Sequence, residues 1–203
     1  TCSCEMGSKS AVIVFDDANF DLAVSSALAS SFKLSGQRCV SAGRLIVQRG
    51  IYDDFCKSFV KYVDSTITNG PAFADSGFTI GKSWSPNTEA YMGPLINQQQ
   101  FDHVLKYNQM VRDDREATIV LDSSHEKPGY FVSPMVYKTE WRDVSYLKNE
   151  VFGPHVALIP FDTVEEGVEI YNDTEYGLAA GVWTKDINKA IRASREIRAG
   201  TVY

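Results

Sequence analysis

Residues Ala11-Val12-Ile13-Val14-Phe15 form an apolar run with no polar alternation. A strand that exposes one face alternates polar and apolar side chains, so an unbroken run implies a strand covered on both faces. Asp16, Asp17 and Asn19 follow at once with helix-start chemistry, and Phe20, Val24, Ala27, Leu28 and Phe32 then recur at helical spacing. The same alternation continues along the chain. Leu45–Val47 reads as a strand and Tyr52–Ile67 as an amphipathic helix; Asn97–Asp113 reads as a helix and Thr118–Leu121 as a short strand. Val156–Phe161 and Leu178–Thr184 are strands, each followed by a helix, over Val164–Tyr171 and Ile187–Ile197. The apolar face of the last helix is read as Ile187, Ala190, Ile191, Ser194 and Ile197. Tyr130–Tyr137 alternates and contains Pro134, which places it at an edge or a bend. Asn69–Pro94 is rich in Gly, Pro, Ser and Asn, and is expected to be an irregular excursion with Trp84 and Met92 buried somewhere. The pattern predicts an α/β fold: one domain with an open, mostly parallel sheet and helices on both faces.

Charge and cysteine usage exclude several roles. The net charge of −6 and the scattered lysines and arginines leave no basic footprint for nucleic acid. No apolar stretch approaches the length of a bilayer span, so no membrane partner is expected. Cys2, Cys4, Cys39 and Cys56 do not form a secreted disulfide framework, which favours a reducing cytosolic or organellar compartment, with a cytoplasmic setting expected. Cys2-x-Cys4 lacks a second Cys/His pair, and His103, His125 and His155 stand alone, so no metal site is expected. The chain starts without methionine and ends at Gly200-Thr-Val-Tyr203, a strand cut midway, which reads as a piece of a longer polypeptide.

Three segments carry potential chemistry. Cys39 lies in Leu34-Ser35-Gly36-Gln37-Arg38-Cys39, where polar and cationic neighbours favour the reactive thiolate. Glu5, in Glu5-Met-Gly-Ser-Lys9, offers the carboxylate a thiol mechanism needs as general base. Glu150-Val-Phe-Gly-Pro154 is the third. By contrast, Cys56 sits between Phe55 and Phe59 spacing and reads as core. Cys2 and Cys4 flank Glu5 on a strand, both on the side opposite to it, and read as packing residues. His155 has no obvious partner and reads as structural, while Asp162, Glu165, Glu166 and Glu169 form the wet face and first turn of a helix. Ligands of such sheets gather at the carboxyl ends of strands. Cys39 follows a helix instead, so tertiary packing must carry its loop to the site.

Taken together, these segments resemble the catalytic domain of the NAD(P)-dependent aldehyde dehydrogenase superfamily, across essentially the whole chain. Ser35-Gly-Gln-Arg-Cys39 is similar to the family's cysteine motif and Glu5-Met-Gly-Ser-Lys9 to its glutamate motif. Met92-Gly-Pro-Leu-Ile96, Glu150–Pro154, Asn172 with Tyr176-Gly-Leu178, and Gly200-Thr-Val202 follow in the family's order. The resemblance implies that Cys39 is the nucleophile, forming a thiohemiacetal and then a thioester, and that Glu5 activates the hydrolytic water. It implies that Glu150 binds the nicotinamide ribose, that Phe152 flanks the nicotinamide, and that NAD or NADP is the cofactor. An aldehyde substrate and a homo-oligomeric parent are implied as well. Glu5 favours release of the free acid over transfer of the acyl group to coenzyme A. Ser8 departs from the family pattern, in which a second glycine is usual, and is expected to tighten or reorient the Glu5 loop. Residues 1–203 would be the catalytic domain alone, with the cofactor-binding domain and a C-terminal segment lying outside them. Two other readings are a non-catalytic folding or oligomerisation module and a cofactor-free thiol esterase.

Overall fold

The computed structural model describes residues 2, 4–67, 91–122 and 129–203. Its strands are β1 (Ala11–Val14), β2 (Arg44–Gln48), β3 (Thr118–Asp122), β4 (Met135–Lys138), β5 (His155–Phe161), β6 (Ala179–Trp183) and β7 (Thr201–Val202). They form one sheet in the order β3-β4-β5-β2-β1-β6-β7. Every neighbouring pair is parallel except β3–β4, which is antiparallel with an irregularity between Ile119 and Leu121. The helices are α1 (Phe20–Phe32), α2 (Arg49–Thr66), α3 (Gln98–Asp113), α4 (Ser145–Lys148), α5 (Val164–Asn172) and α6 (Ile187–Glu196).

Side-chain alternation divides the apolar interior into two clusters, one on each face. Val12, Val14, Leu45, Val47, Val156 and Leu158 pack with α1 and α2, through Ala27, Phe32, Phe55 and Phe59. Ile13, Phe15, Ile46, Ala157, Ile159 and Phe161 pack with α3, α5 and α6, through Val104, Val168 and Ala193. The continuous apolar runs of β1 and β5 follow from this double coverage. Asn19 caps α1 as expected, accepting from the Leu22 N–H.

Three expectations are corrected. Pro134 does not put its strand at an edge: β4 lies between β3 and β5, and the ladder begins after the proline, with the Met135 N–H donating to the Pro154 carbonyl. The α6 face is also rotated from the expected one. Ile187 and Ile191 are exposed, while Ala193 and Ile197 are buried. Lys189 extends the inward line one turn earlier, its ammonium 5.2 Å from the Phe15 ring centroid and 3.3 Å from Asp16 Oδ1. Cys2 and Cys4 are exposed rather than packed, outside any strand, with their sulfurs 3.6 Å apart. Cys56 is buried as expected, and so is Met92; Trp84 lies outside the described residues.

Candidate active site

Strands β5, β2 and β1 are adjacent and parallel, with Ala11 level with Arg44 and Arg44 level with Ala157. The three motif segments are the stretches of chain entering these strands: Glu5–Ser10 before β1, Cys39–Gly43 before β2, Glu150–Pro154 before β5. Topology therefore brings them together at the amino ends of the strands, the end opposite to the one expected for an open α/β sheet.

The cysteine loop is built by an unusual turn. After α1, Leu34 (φ 54°), Ser35 (φ 57°) and Gly36 (φ 71°) take left-handed backbone conformations in succession. Non-glycine residues resist that region, so the turn persists only where the surroundings hold it. Here the Ser35 hydroxyl donates to the Gly93 carbonyl at 2.8 Å, and the Gln37 side chain accepts the Ile96 N–H at 3.0 Å. The Arg38 guanidinium donates to the Ala29 and Ser30 carbonyls at 3.0 and 2.9 Å. Arg38, expected to favour the thiolate by charge, is thus committed to the last turn of α1. Cys39 itself is exposed. Among the described residues its backbone N–H donates to no protein acceptor.

Gly36 also clamps the cysteine loop to the third segment. A Cβ there would lie 2.6 Å from the Gly153 carbonyl carbon and 3.2 Å from the Pro154 nitrogen, so only a hydrogen fits. Phe152, beside that contact, carries a left-handed φ of 53°. Its loop is gripped from α3: the Gln100 amide donates to the Val151 and Phe152 carbonyls at 3.0 and 2.8 Å, and His103 Nε2 pairs with the Glu150 carbonyl at 3.3 Å.

Glu150 joins the third segment to the first. Its Oε1 accepts the Ser8 N–H at 2.8 Å, and its Oε2 sits 2.9 Å from where a Cβ on Gly7 (φ 74°) would be. The left-handed φ at position 7 favours glycine, whereas Ser8 is buried without left-handed strain, its hydroxyl 2.7 Å from that of Ser10. Serine at position 8 is thus accommodated without backbone strain. Glu5, two residues before Gly7, is exposed, and no hydrogen bond joins it to Cys39.

Sequence reasoning missed the buried cations behind these loops. Lys9 donates to the Tyr146 carbonyl at 3.0 Å. Burial, reinforced by the charge of Arg44 and opposed by Glu150, lowers its pKa to about 7. Arg44 is fully buried and donates to the Lys9, Ile170 and Tyr171 carbonyls at 2.6, 2.9 and 3.2 Å, with Trp141 and Tyr171 rings on its faces. It ties the Glu5 segment to the carbonyl end of α5, and burial holds its pKa at about 10. Glu150 is raised above the ordinary carboxylate value by burial, against the pull of the Ser8 N–H, Lys9 and His103. His155 has the partners the sequence did not reveal: Nδ1 lies 2.8 Å from Asn108 Oδ1 and Nε2 lies 2.9 Å from the Tyr137 hydroxyl. Burial keeps it neutral, well below the usual imidazole range. The available signals were a lysine closing the glutamate motif and an arginine opening an apolar strand.

Among the described residues no group of three His, Cys, Asp or Glu could hold a metal ion, and no helix is long and apolar enough to cross a membrane.

Residues 1–203 match the aldehyde dehydrogenase family. An aldehyde dehydrogenase of Aspergillus niger is 37% identical over 199 residues, covering 98% of this chain and 37% of that protein. A betaine aldehyde dehydrogenase of Cereibacter sphaeroides is 33% identical over 98% of this chain and 38% of its own length. Among solved structures, betaine aldehyde dehydrogenase from Staphylococcus aureus in complex with NAD+ superposes with a TM-score of 0.85 at 31% identity, over 98% of this chain and 37% of that one. The 1-pyrroline-5-carboxylate dehydrogenase from Thermus with bound NAD gives 0.86 at 30% identity, over 98% and 36%. The chain thus spans a little over a third of the length of these relatives. With a match along its full length and the expected α/β sheet beneath it, the chain belongs to the aldehyde dehydrogenase family.

Proposed function

We propose that the intact protein oxidises an aldehyde to a carboxylic acid, with NAD or NADP as hydride acceptor and a thioester on Cys39 as intermediate. The observation that carries this reading is the Cys39 N–H, unengaged among the described residues, on a loop clamped by Gly36 against the Glu150–Pro154 segment. The Cys39 sulfur adds to the aldehyde carbon, and the N–H of the same residue meets the charge that develops on oxygen. NAD(P)+, when bound, accepts the hydride from that carbon. Glu5 then takes a proton from water, the hydroxide adds to the thioester carbon, and the C–S bond breaks to return the thiolate and release the acid.

The residues present fit a nicotinamide ribose. A carboxylate offers about four acceptor sites, so Glu150 keeps several for hydroxyl donors beyond the one taken by Ser8. Strained backbone clusters where a side chain must be held in a set direction, which suits Phe152 as the residue flanking the nicotinamide. The Staphylococcus aureus and Thermus relatives, solved with this cofactor, support the assignment. Homo-oligomeric assembly and a cytoplasmic setting belong to the same proposal, the second supported by cysteine usage.

The test is cofactor-dependent oxidation of an aldehyde panel by the intact protein, by Cys39→Ala and by Glu5→Gln. Cys39→Ala should abolish turnover. Glu5→Gln should keep a first burst of reduced cofactor and lose steady-state rate. Unchanged oxidation in Cys39→Ala would sink the mechanism, and cofactor-free ester hydrolysis without aldehyde oxidation would replace it with a thiol esterase.

A further inference from the structure

Among the described residues, five buried side-chain atoms have no hydrogen-bond partner: Ser31 Oγ, Arg38 Nε, Ser41 Oγ, Arg44 Nε and Arg142 Nε. Three of these residues, Ser31, Arg38 and Ser41, line one cavity of about 20 Å³ where α1, the cysteine loop and the Glu150–Pro154 segment meet. Its wall is drawn from residues 8–155, well inside the chain. Buried polar groups are hydrogen-bonded as a rule, and leaving one unpaired costs more than a made bond gains. Three that converge on one space point to a shared partner.

Size and charge select that partner. A buried water needs roughly 10–15 Å³ and two to four polar neighbours, which this cavity provides. The Arg38 Nε–H can only donate, and with Lys9 also in the wall a cation is disfavoured. Glu150 in the same wall disfavours an anion. A small neutral molecule that accepts from Arg38 and exchanges hydrogen bonds with two hydroxyls satisfies all three groups.

The position bears on Cys39. The Ser41 N–H donates to the Arg38 carbonyl at 2.9 Å, closing the turn that presents the cysteine. Ser31, 2% exposed, belongs to the last turn of α1. Arg38 already grips that turn through Nη2, at the Ala29 and Ser30 carbonyls, and its Nε is left over. One molecule bridging Ser31, Arg38 and Ser41 would tie both ends of the cysteine turn to the helix.

We infer that this cavity holds one ordered water, hydrogen-bonded to Ser31 Oγ, Arg38 Nε and Ser41 Oγ, and that Ser31 and Ser41 are positioning residues for Cys39 acting through it. The positioning role rests on the dehydrogenase reading above; the water site does not.

Crystals of the intact protein should show one peak within about 2.7–3.2 Å of the three atoms. Growth in bromide, which would replace a chloride, should leave that peak without anomalous signal. Ser31→Ala and Ser41→Ala should each slow the burst of reduced cofactor about fivefold, the worth of one hydrogen bond. Because both act through one water, the double variant should fall well short of the roughly 25-fold loss that independent effects multiply to. The urea midpoints should show the same non-additivity, and Ser41→Thr, which keeps the hydroxyl, should recover most of the burst rate. A missing peak, an anomalous scatterer in its place, or effects that multiply in both measurements overturn the inference. Coupling in stability with an unchanged burst overturns the positioning role. A protein that oxidises no aldehyde overturns the dehydrogenase reading and that role with it, while the peak and the urea midpoints still decide the water.

Discussion

Gly36→Ala tests whether the contact between the cysteine loop and the Glu150–Pro154 loop organises the site. Two independent costs arise. Gly36 has a φ of 71°, and a left-handed conformation costs an L-residue about 1–2 kcal/mol. The new methyl would lie 2.6 Å from the Gly153 carbonyl carbon, and since the obstacle is backbone, no rotamer change relieves it. The loops must part by about 1 Å to reach ordinary van der Waals contact, with a packing penalty of about 1–3 kcal/mol. The expected loss of stability is about 2–5 kcal/mol by urea denaturation of the intact protein. Because a misplacement of about 1 Å can cost about 100-fold in rate, kcat/KM should fall by that order in protein that remains folded. Leu34→Asn is the counterpart in the same turn. Leu34 has a φ of 54° and is 69% exposed, so asparagine relaxes the strain without removing core contacts. It should be neutral or stabilising. Should Gly36→Ala leave stability within about 0.5 kcal/mol and activity intact, the clamp is not what positions Cys39.

Two further outcomes follow from the buried cations. Arg44→Met removes the donor shared by the Lys9, Ile170 and Tyr171 carbonyls, and leaving such acceptors buried should cost about 3 kcal/mol even after relief of the buried charge; a urea midpoint unchanged from wild type would refute it. Lys9 has a folded pKa of about 7, below the ordinary lysine value of 10.5, so between these values the unfolded chain holds a proton the folded chain has released. Its contribution to stability therefore rises with pH across that window, by at most about 1.4 kcal/mol per pH unit, and is flat below it. The difference between wild type and Lys9→Met, measured by denaturation from pH 6 to pH 10, should show this rise; a flat difference would place the Lys9 charge in water.

The sequence by itself determined the layers of this fold. Double burial wrote itself into the Ala11–Phe15 run, because every side chain of a central parallel strand meets a helix and none can be polar without a partner. Motif chemistry was legible for the same local reason: glycine at positions 7 and 36 is dictated by backbone angles that few other residues adopt. What composition and periodicity could not supply was long-range placement. Pro134 signalled an edge or a bend because a missing N–H is a local fact, whereas interior or edge position depends on which strand pairs on either side, and here β3 supplies the outer partner. Ile187 and Ile191 formed a persuasive stripe, yet α6 turns Ala193 and Ile197 inward. Only packing against a particular neighbour selects among adjacent faces. The site itself was decided in the same way. Glu5, Cys39 and Glu150 are far apart in the chain, and the order β5-β2-β1 alone sets their entry segments side by side at the amino ends of the strands. Arg44 and His155 looked unremarkable in one dimension because their partners, the carbonyls of Lys9 and Ile170 and the side chains of Asn108 and Tyr137, come from distant segments. Burial makes those polar contacts obligatory, and burial is a property of the assembled layers rather than of any stretch of sequence.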